Sequence, residues 1–207
     1  MVKAPIAGAV KSRLARDVGL GVATGFARHT AAALLQRLWT DRRWHTVIAV
    51  TPHAHMHGRF WPHRMARRSQ GQGDLGARMQ RLMEMAPRGP VAIIGSDIPG
   101  VTRRDIWAAF RLLGRNDAVF GPAADGGYWL VGLRRRPRSV RAFDGVRWSS
   151  RNALADTLVN LERHAVAFVT QHGDVDNGAD LAARCGQTGR RVLPITAARM
   201  VVVTGSA

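Results

Sequence analysis

In a chain of 207 residues with 14 acidic side chains against 31 basic ones, the position of each carboxylate is informative. Asp97, Asp125, Asp174 and Asp176 each follow a predicted strand, which gathers them on one edge of a sheet. Asp97 ends the apolar run Val91-Ala92-Ile93-Ile94-Gly95-Ser96 and is fixed by Pro99, as an α/β fold presents a carboxylate to a metal ion. Asp174-Val175-Asp176 sets two carboxylates on one face of an extended segment. Together these oxygens suit Mg²⁺ or Mn²⁺, hard ions that take one or two carboxylates and complete their shell with phosphate oxygens and water. Helix capping is the competing account of Asp97 and Asp176, because a predicted helix follows each.

A second group of residues suits an anion. Lys3-Ala4-Pro5-Ile6-Ala7-Gly8-Ala9-Val10-Lys11-Ser12-Arg13-Leu14 combines three cations with a flexible backbone at Gly8. Glycine lets main-chain N–H groups approach a diphosphate, while Lys3, Lys11 and Arg13 supply charge-assisted bonds. Gly-Lys-Ser/Thr is absent, so this is not a Walker A loop. A solvated basic N-terminus explains the same composition.

Other candidates point to less. His53, His55 and His57, with His63 nearby, would share one face of an extended strand, as a zinc or nickel site could use. Pro52 and Gly58 favour instead an exposed loop that binds transition metals only opportunistically. Trp39, Trp44, Trp61 and Trp107 read as core or interface residues, and Trp129, beside Tyr128, as the border of a ligand site. Nothing near Cys185 marks it as a nucleophile. The arginines at 42–43, 67–68, 103–104, 134–136 and 138 are spread over different loops without aromatic interleaving, which reads as dispersed surface charge and argues against nucleic acid as a partner.

The elements that must position these residues follow from periodicity. A helix is expected over Val22 to Trp39, whose apolar residues recur at helical spacing, and His45 to Thr51 is a β-branched run stopped by Pro52. Asp74 caps a helix carrying Leu75, Met79, Leu82 and Met83; Val91 to Ile94 is a buried strand; Thr102 caps a helix through Leu113. Asp117 to Gly121 and Tyr128 to Leu133 are strands around a Pro-Ala-Ala-Asp-Gly-Gly loop, followed by a basic loop from Arg134 to Arg138. Ser149 or Ser150 opens a helix to about His164, Ala165 to Thr170 is a strand, and Asp176 or Asn177 caps a last helix through Ala183. This alternation implies an α/β domain over residues 1–185, with a mostly parallel sheet that binds ligands beyond the carboxyl ends of its strands. Residues 186–207 read as a C-terminal tail, in which Met200 to Val203 could add a strand.

Composition sets the outer limits. At 46% hydrophobic and 22% charged the chain is globular, and a formal charge of +17 draws it to polyanions, although 29 of its 31 cations are arginine, which is the mark of an arginine-favouring genome. One cysteine allows no internal disulfide and fits a reducing cytoplasm. The longest apolar runs fall far short of the roughly 18 residues of a membrane span. The N-terminus has no secretory h-region, and Gly8, Gly19 and Gly21 oppose the continuous amphipathic helix of a transit peptide.

Taken in order, Lys3-Ala4-Pro5, Gly8, Val10-Lys11-Ser12-Arg13-Leu14, the stretch Gln70 to Met79, Gly95-Ser96-Asp97-Ile98-Pro99-Gly100, the stretch Gly121 to Leu133, Trp148-Ser149-Ser150 and Asp174-Val175-Asp176 resemble one family. These motifs look like bacterial glycosyltransferase-like proteins of GT-A fold, of the arsenosugar-biosynthesis type, similar also to the guanylyltransferase that activates phospholactate. The resemblance spans about residues 2 to 183. It implies a Rossmann-like, mostly parallel sheet flanked by helices, as in nucleotide-diphospho-sugar transferases, with a divalent ion between aspartate and diphosphate. Asp97 and Asp176 match the metal positions, and Lys3, Gly8, Lys11 and Arg13 the phosphate loop. Gln70, Gly73, Asp74 and Arg78 match a segment lining the nucleotide, and Asp125, Gly126, Gly127 and Tyr128, with Trp148 and Ser149, the acceptor side.

Three departures stand out. The buried strand that relatives carry before Lys-Ala-Pro is reduced here to Met1-Val2, so a central strand is missing unless the start lies upstream or Met200 to Thr204 fills the slot. Asn177-Gly178 replaces the common Thr-Pro, and Ile6-Ala7 replaces a stretch that often carries Arg or Pro. The expected activity is metal-dependent glycosyl transfer from a nucleotide-diphospho-sugar to a small acceptor, with Lys11 and Arg13 neutralising the leaving group and Asp125 handling the acceptor hydroxyl. The alternatives are nucleotidyl transfer from an NTP to a phosphorylated acceptor, with release of pyrophosphate, and a catalytically inactive basic binding protein.

Overall fold

Short apolar runs bounded by turn residues, alternating with helices of which some open on side-chain caps, produce the alternation read from the sequence. The computed structural model describes residues 1–4, 6–135, 140–188 and 202–205; Pro5, the Arg136 to Arg138 part of the basic loop, and residues 189–201 and 206–207 of the expected tail lie outside the described residues. The elements are β1 (Val2–Lys3), α1 (Ser12–Val18), α2 (Leu20–Leu38), β2 (Trp44–Thr51), β3 (Arg67–Ser69), α3 (Leu75–Met85), β4 (Val91–Ile94), α4 (Arg103–Leu113), β5 (Ala118–Pro122), β6 (Tyr128–Leu133), α5 (Ala153–Val159), β7 (Val166–Phe168), α6 (Gly178–Thr188) and β8 (Val202–Gly205).

All eight strands form one sheet, flanked by the helices of a mixed α/β fold. Strands β1, β2, β3, β4, β5 and β7 run the same way, and β6 and β8 run against them, so the sheet is mostly parallel. The space between β2 and β4 is filled from two directions. Strand β8 pairs antiparallel with both neighbours, Val203 lying opposite Thr46 and Ala92. At the other end of β2, Val2 and Lys3 pair with Val50 and Thr51, and the Met1 amine donates to the Ile94 carbonyl at 2.8 Å. Backbone groups of the two central strands that would otherwise be buried without partners are thereby satisfied. Of the late apolar run that the sequence offered for this slot, Val202 to Thr204 lie in it, and Met200 and Val201 fall outside the described residues.

Side-chain caps mark the starts of α3, α4 and α6, whereas α1, α2 and α5 begin without one. The Asp74 carboxylate accepts from the Ala77 N–H at 2.8 Å, and Thr102 and Asp105 form a reciprocal capping box at α4. Asn177 Oδ1 accepts from the Asp180 N–H at 2.9 Å, while the Asp180 carboxylate accepts from the N–H groups of Asp176 and Asn177. Thr102 and Asn177 therefore serve these helix starts, and the Asp97 and Asp176 side chains are left for other partners. Helix α5 starts at Ala153 rather than at Ser149 or Ser150, because Ser149 adopts φ 58° and the Ser150 hydroxyl turns back to the Arg147 carbonyl at 2.6 Å. Helix α1 was not expected, since Gly19, at φ 85°, separates it from α2 and breaks the periodicity.

The main core joins Leu34, Leu35 and Leu38 of α2, Met79, Leu82 and Met83 of α3, and Ile106, Ala109, Phe110 and Leu113 of α4 to the sheet, with β4 buried along its whole length. A smaller cluster of Leu14, Ala23, Phe26 and Val175 ties α1 and α2 to the segment after β7. Trp44 and Trp61 are buried as expected, whereas Trp39 and Trp107 stay partly exposed, with the Arg43 guanidinium over the Trp107 ring.

Because proline lacks the N–H that a central strand needs and clashes with its neighbours, Val203→Pro should cost about 3 kcal/mol or more. For a chain of this size that corresponds to a fall in Tm of roughly 6–12 °C. An unchanged melting curve would mean that β8 does not occupy the centre of the sheet.

Candidate active site

The site is built by residues on either side of two buried apolar anchors. Leu14 is fully buried, and Val175 is buried between Asp174 and Asp176, so the alternation Asp-Val-Asp turns both carboxylates to the same open side. Both anchors belong to one cluster, which brings the segment Lys11-Ser12-Arg13 alongside Asp174 and Asp176. A polar tie adds to it: the Asp17 carboxylate of α1 accepts from the Gly178 N–H at 2.7 Å, joining α1 to the start of α6. Asp97 arrives from the end of β4.

At the centre lies Lys11, whose side chain is only 7% exposed. Its Nζ stands 2.8 Å from Asp97 Oδ2, 2.9 Å from Asp176 Oδ1 and 3.8 Å from Asp174 Oδ2. Lys11 takes the left-handed conformation, φ 49°, uncommon for a residue with a side chain, immediately before α1. Arg13, largely exposed, reaches Asp176 Oδ2 at 3.3 Å. Burial by itself lowers the pKa of the Lys11 ammonium, but the charges and hydrogen bonds of Asp97 and Asp176 together outweigh it and hold the pKa above its ordinary value. For Asp176, burial acts upward, and the hydrogen bond and charge of Lys11 bring the net shift below the usual carboxylate range. Asp174 lacks so close a cation, and burial followed by the charge of Asp176 pushes it up to about 6.

Asp97, Asp174 and Asp176 can bring one oxygen each within 4.8 Å of one another. All three donors are carboxylates, the hard oxygen ligands that Mg²⁺ and Mn²⁺ take, and Asp174 remains short of positive charge even with Lys11 present. The donor set therefore fits a hard divalent ion. Among the described residues no other group of three or more ligating side chains converges in this way. In particular, His53 and His55 lie in a 3-10 turn rather than on an extended strand.

Two cavities meet at this cluster. One, of about 380 Å³, is lined by Lys3, Ala9, Val10, Lys11, Ser12 and Arg13 together with Ser96, Asp97 and Asp176. The other, of about 660 Å³, is lined by Asp125, Gly127, Tyr128, Trp129, Trp148 and Ser149, and also by Arg13, Asp97, Asp174 and Asp176. Arg13, Asp97 and Asp176 thus belong to both walls. The Asp125 carboxylate accepts from the Gly127 N–H at 2.9 Å, which fixes its orientation within the loop. Tyr128 lies 3.4 Å from the Thr157 hydroxyl, and burial raises its pKa, so its phenol is neutral and anchored. Gly126, at φ 85°, allows the loop to close on the next one: a Cβ there would lie 2.1 Å from the Arg151 carbonyl oxygen.

The segment expected to line the nucleotide is used differently. Gln70 is buried, its side-chain amide donating to the carbonyls of Val2 at 3.0 Å and Ala49 at 2.9 Å, so that it stitches β1 to β2. Asp74 caps α3 and borders a separate cavity of about 430 Å³ with Arg81, Glu84, Arg141 and Asp144. Gly73 makes the turn before α3 at φ 99°, and neither it nor Arg78 lines the two cavities at the carboxylates. Gly8, at φ 76°, shapes the opening loop without lining either cavity. Ser150, the last residue of the Trp148-Ser149-Ser150 motif, and Arg151 also line the larger one, and only adjacency to that motif signalled Arg151.

The raised Asp174 carboxyl has a consequence for metal-free protein. Between about pH 4 and 6 the folded chain holds a proton that the unfolded chain has released, so stability falls as pH rises through that window. Asp174→Asn should remove this loss and raise stability at pH 7.5 in EDTA by on the order of 1 kcal/mol, after allowance for solvent screening. Melting curves from pH 4 to 8 measure it; identical slopes for the variant and the native chain would contradict the assignment.

Comparison with known proteins agrees with the architecture. No curated protein matches the chain. A crystal structure from Desulfovibrio desulfuricans G20, provisionally described as a nucleotide-diphospho-sugar transferase, is 33% identical, with a TM-score of 0.81 over 88% of this chain and 83% of that one. Residues 34–150 match the family described as an uncharacterized protein conserved in bacteria (DUF2064). With more than half of its length inside that match, the chain belongs to the DUF2064 family and carries a GT-A-like, nucleotide-diphospho-sugar-transferase type of fold.

Proposed function

We propose that this chain is a transferase that takes a nucleotide-diphospho-sugar donor and passes its sugar to a small acceptor with the help of Mg²⁺ or Mn²⁺. The observation that carries the reading is the meeting of two cavities at Arg13, Asp97 and Asp176. One wall is rich in cations, which suits a diphosphate; the other offers aromatic side chains, hydroxyls and a carboxylate, which suits a polyol. The similarity to the Desulfovibrio protein points the same way.

In this reading Lys3, Lys11 and Arg13 hold the diphosphate in the smaller cavity, and Arg13 stays close as charge develops on the leaving oxygen. Asp97, Asp174 and Asp176 would hold the divalent ion, which supplies Lewis-acid charge against the same diphosphate. Tyr128, Trp129 and Trp148 line the acceptor cavity and exclude water, while Asp125, oriented by Gly127, takes the proton of the attacking hydroxyl. The bond from the anomeric carbon to the diphosphate breaks as the bond to the acceptor oxygen forms, and a nucleoside diphosphate leaves. Arg13 and Arg151 in the acceptor cavity favour a second reading, nucleotidyl transfer to an anionic acceptor with pyrophosphate as the product.

Thermal stability against NTPs and UDP-, GDP-, ADP- and dTDP-sugars, with and without Mg²⁺ or Mn²⁺, separates these readings, because a ligand that binds only the folded chain raises its Tm. A metal-dependent rise with one nucleotide-sugar names the donor, and a rise with an NTP alone selects the second reading. Asp97→Asn should abolish the metal-dependent rise while leaving the Tm of the free protein within about 2 °C. Unchanged metal-dependent binding in that variant would remove Asp97 from the ion site, and no rise with any ligand would return the chain to the class of basic binding proteins.

A further inference from the structure

Lys11 is assigned above to the diphosphate, yet its ammonium lies among the carboxylates. It bridges Asp97 Oδ2 and Asp176 Oδ1 at 2.8 and 2.9 Å, with Asp174 Oδ2 at 3.8 Å. A divalent ion on these aspartates needs the same oxygens, and two cations cannot crowd onto them without mutual repulsion. The ammonium also lines the cation-rich cavity with Lys3 and Arg13, so a flexible four-carbon stem can serve either anion.

We propose that Lys11 is a displaceable counterion: it holds the cation position between Asp97 and Asp176 in the ligand-free protein and gives it up when a diphosphate draws the ammonium into the adjoining cavity. The inference rests on the reading of Asp97, Asp174 and Asp176 as a divalent-ion site. It makes metal and diphosphate binding mutually reinforcing, since each is favoured by the position of Lys11 that the other requires, and the coupling must be equal in both directions. It also gives a role to the left-handed backbone at Lys11, a residue that lines the smaller cavity and whose ammonium reaches Asp97 and Asp176.

Equilibrium dialysis of Mn²⁺ tests this without a known substrate or any measurement of turnover. With Mn²⁺ alone, Lys11→Met should bind the ion about tenfold more tightly than the native chain, whereas Lys11→Arg, which keeps the charge, should stay within about twofold of native. In the native chain inorganic pyrophosphate should raise the amount of protein-bound Mn²⁺, and this increase should be clearly smaller in Lys11→Met, where only direct contact between the ion and the phosphate remains to produce it. Circular dichroism checks folding; if the methionine variant does not fold, Lys11→Gln takes its place, and the pyrophosphate effect on the native chain stands independently. Mn²⁺ binding in the native chain that is equal or weaker in the neutral variant, or that pyrophosphate does not strengthen, overturns the counterion role and leaves the ion site intact. No binding at millimolar Mn²⁺ in any form overturns both.

Discussion

Three carboxylates do not gather within 4.8 Å of one another unless something opposes their repulsion, and much of this molecule is arranged around that requirement. The cost is met in two ways. Apolar burial of Leu14 and Val175 fixes the backbones that carry Lys11, Asp174 and Asp176, and the Lys11 ammonium supplies the nearest opposite charge. Asp17, in turn, secures the start of α6 and so the turn from which Asp176 projects. Removing any one of these leaves like charges crowded in a partly desolvated place, which is why the residues form a unit rather than a set of separate contacts.

Much of this was legible in the sequence. Strands followed by aspartate, the Asp-Val-Asp alternation and the capping residues Asp74 and Thr102 each act over a few residues, where local rules are strongest. Asp125, Gly126, Gly127, Tyr128, Trp148 and Ser149 were assigned to one side of the site, and all but Gly126 line one cavity. What escaped was long-range. The local pattern that set Lys11 beside a diphosphate carried no sign of its ion pairs with Asp97 and Asp176, which lie far along the chain. Gln70 was read with the nucleotide, but a buried amide was needed to satisfy the carbonyls of Val2 and Ala49. No local pattern distinguishes these uses.

The loops on the acceptor side show how backbone geometry substitutes for side-chain contacts. Gly126 accepts the close approach of Arg151, the Leu154 N–H donates to the Gly126 carbonyl, and Ser149 is held at φ 58°. Positive φ at a residue with a side chain persists only where its surroundings demand it. Two of the three such residues among those described, Lys11 and Ser149, line the cavities, and the third, Arg135, donates to carbonyls of the loop before β4.

Strand β8 has a consequence for the order of assembly. It follows every other described element in the chain, yet it lies between β2 and β4 in the middle of the sheet. During synthesis the segments that frame the slot leave the ribosome long before the one that closes it, and until then much of their facing edges can pair with any extended chain. Folding of the central sheet is therefore gated by the slowest kind of contact, one between distant parts of the sequence, and nascent or truncated chains should be the forms that most need a chaperone.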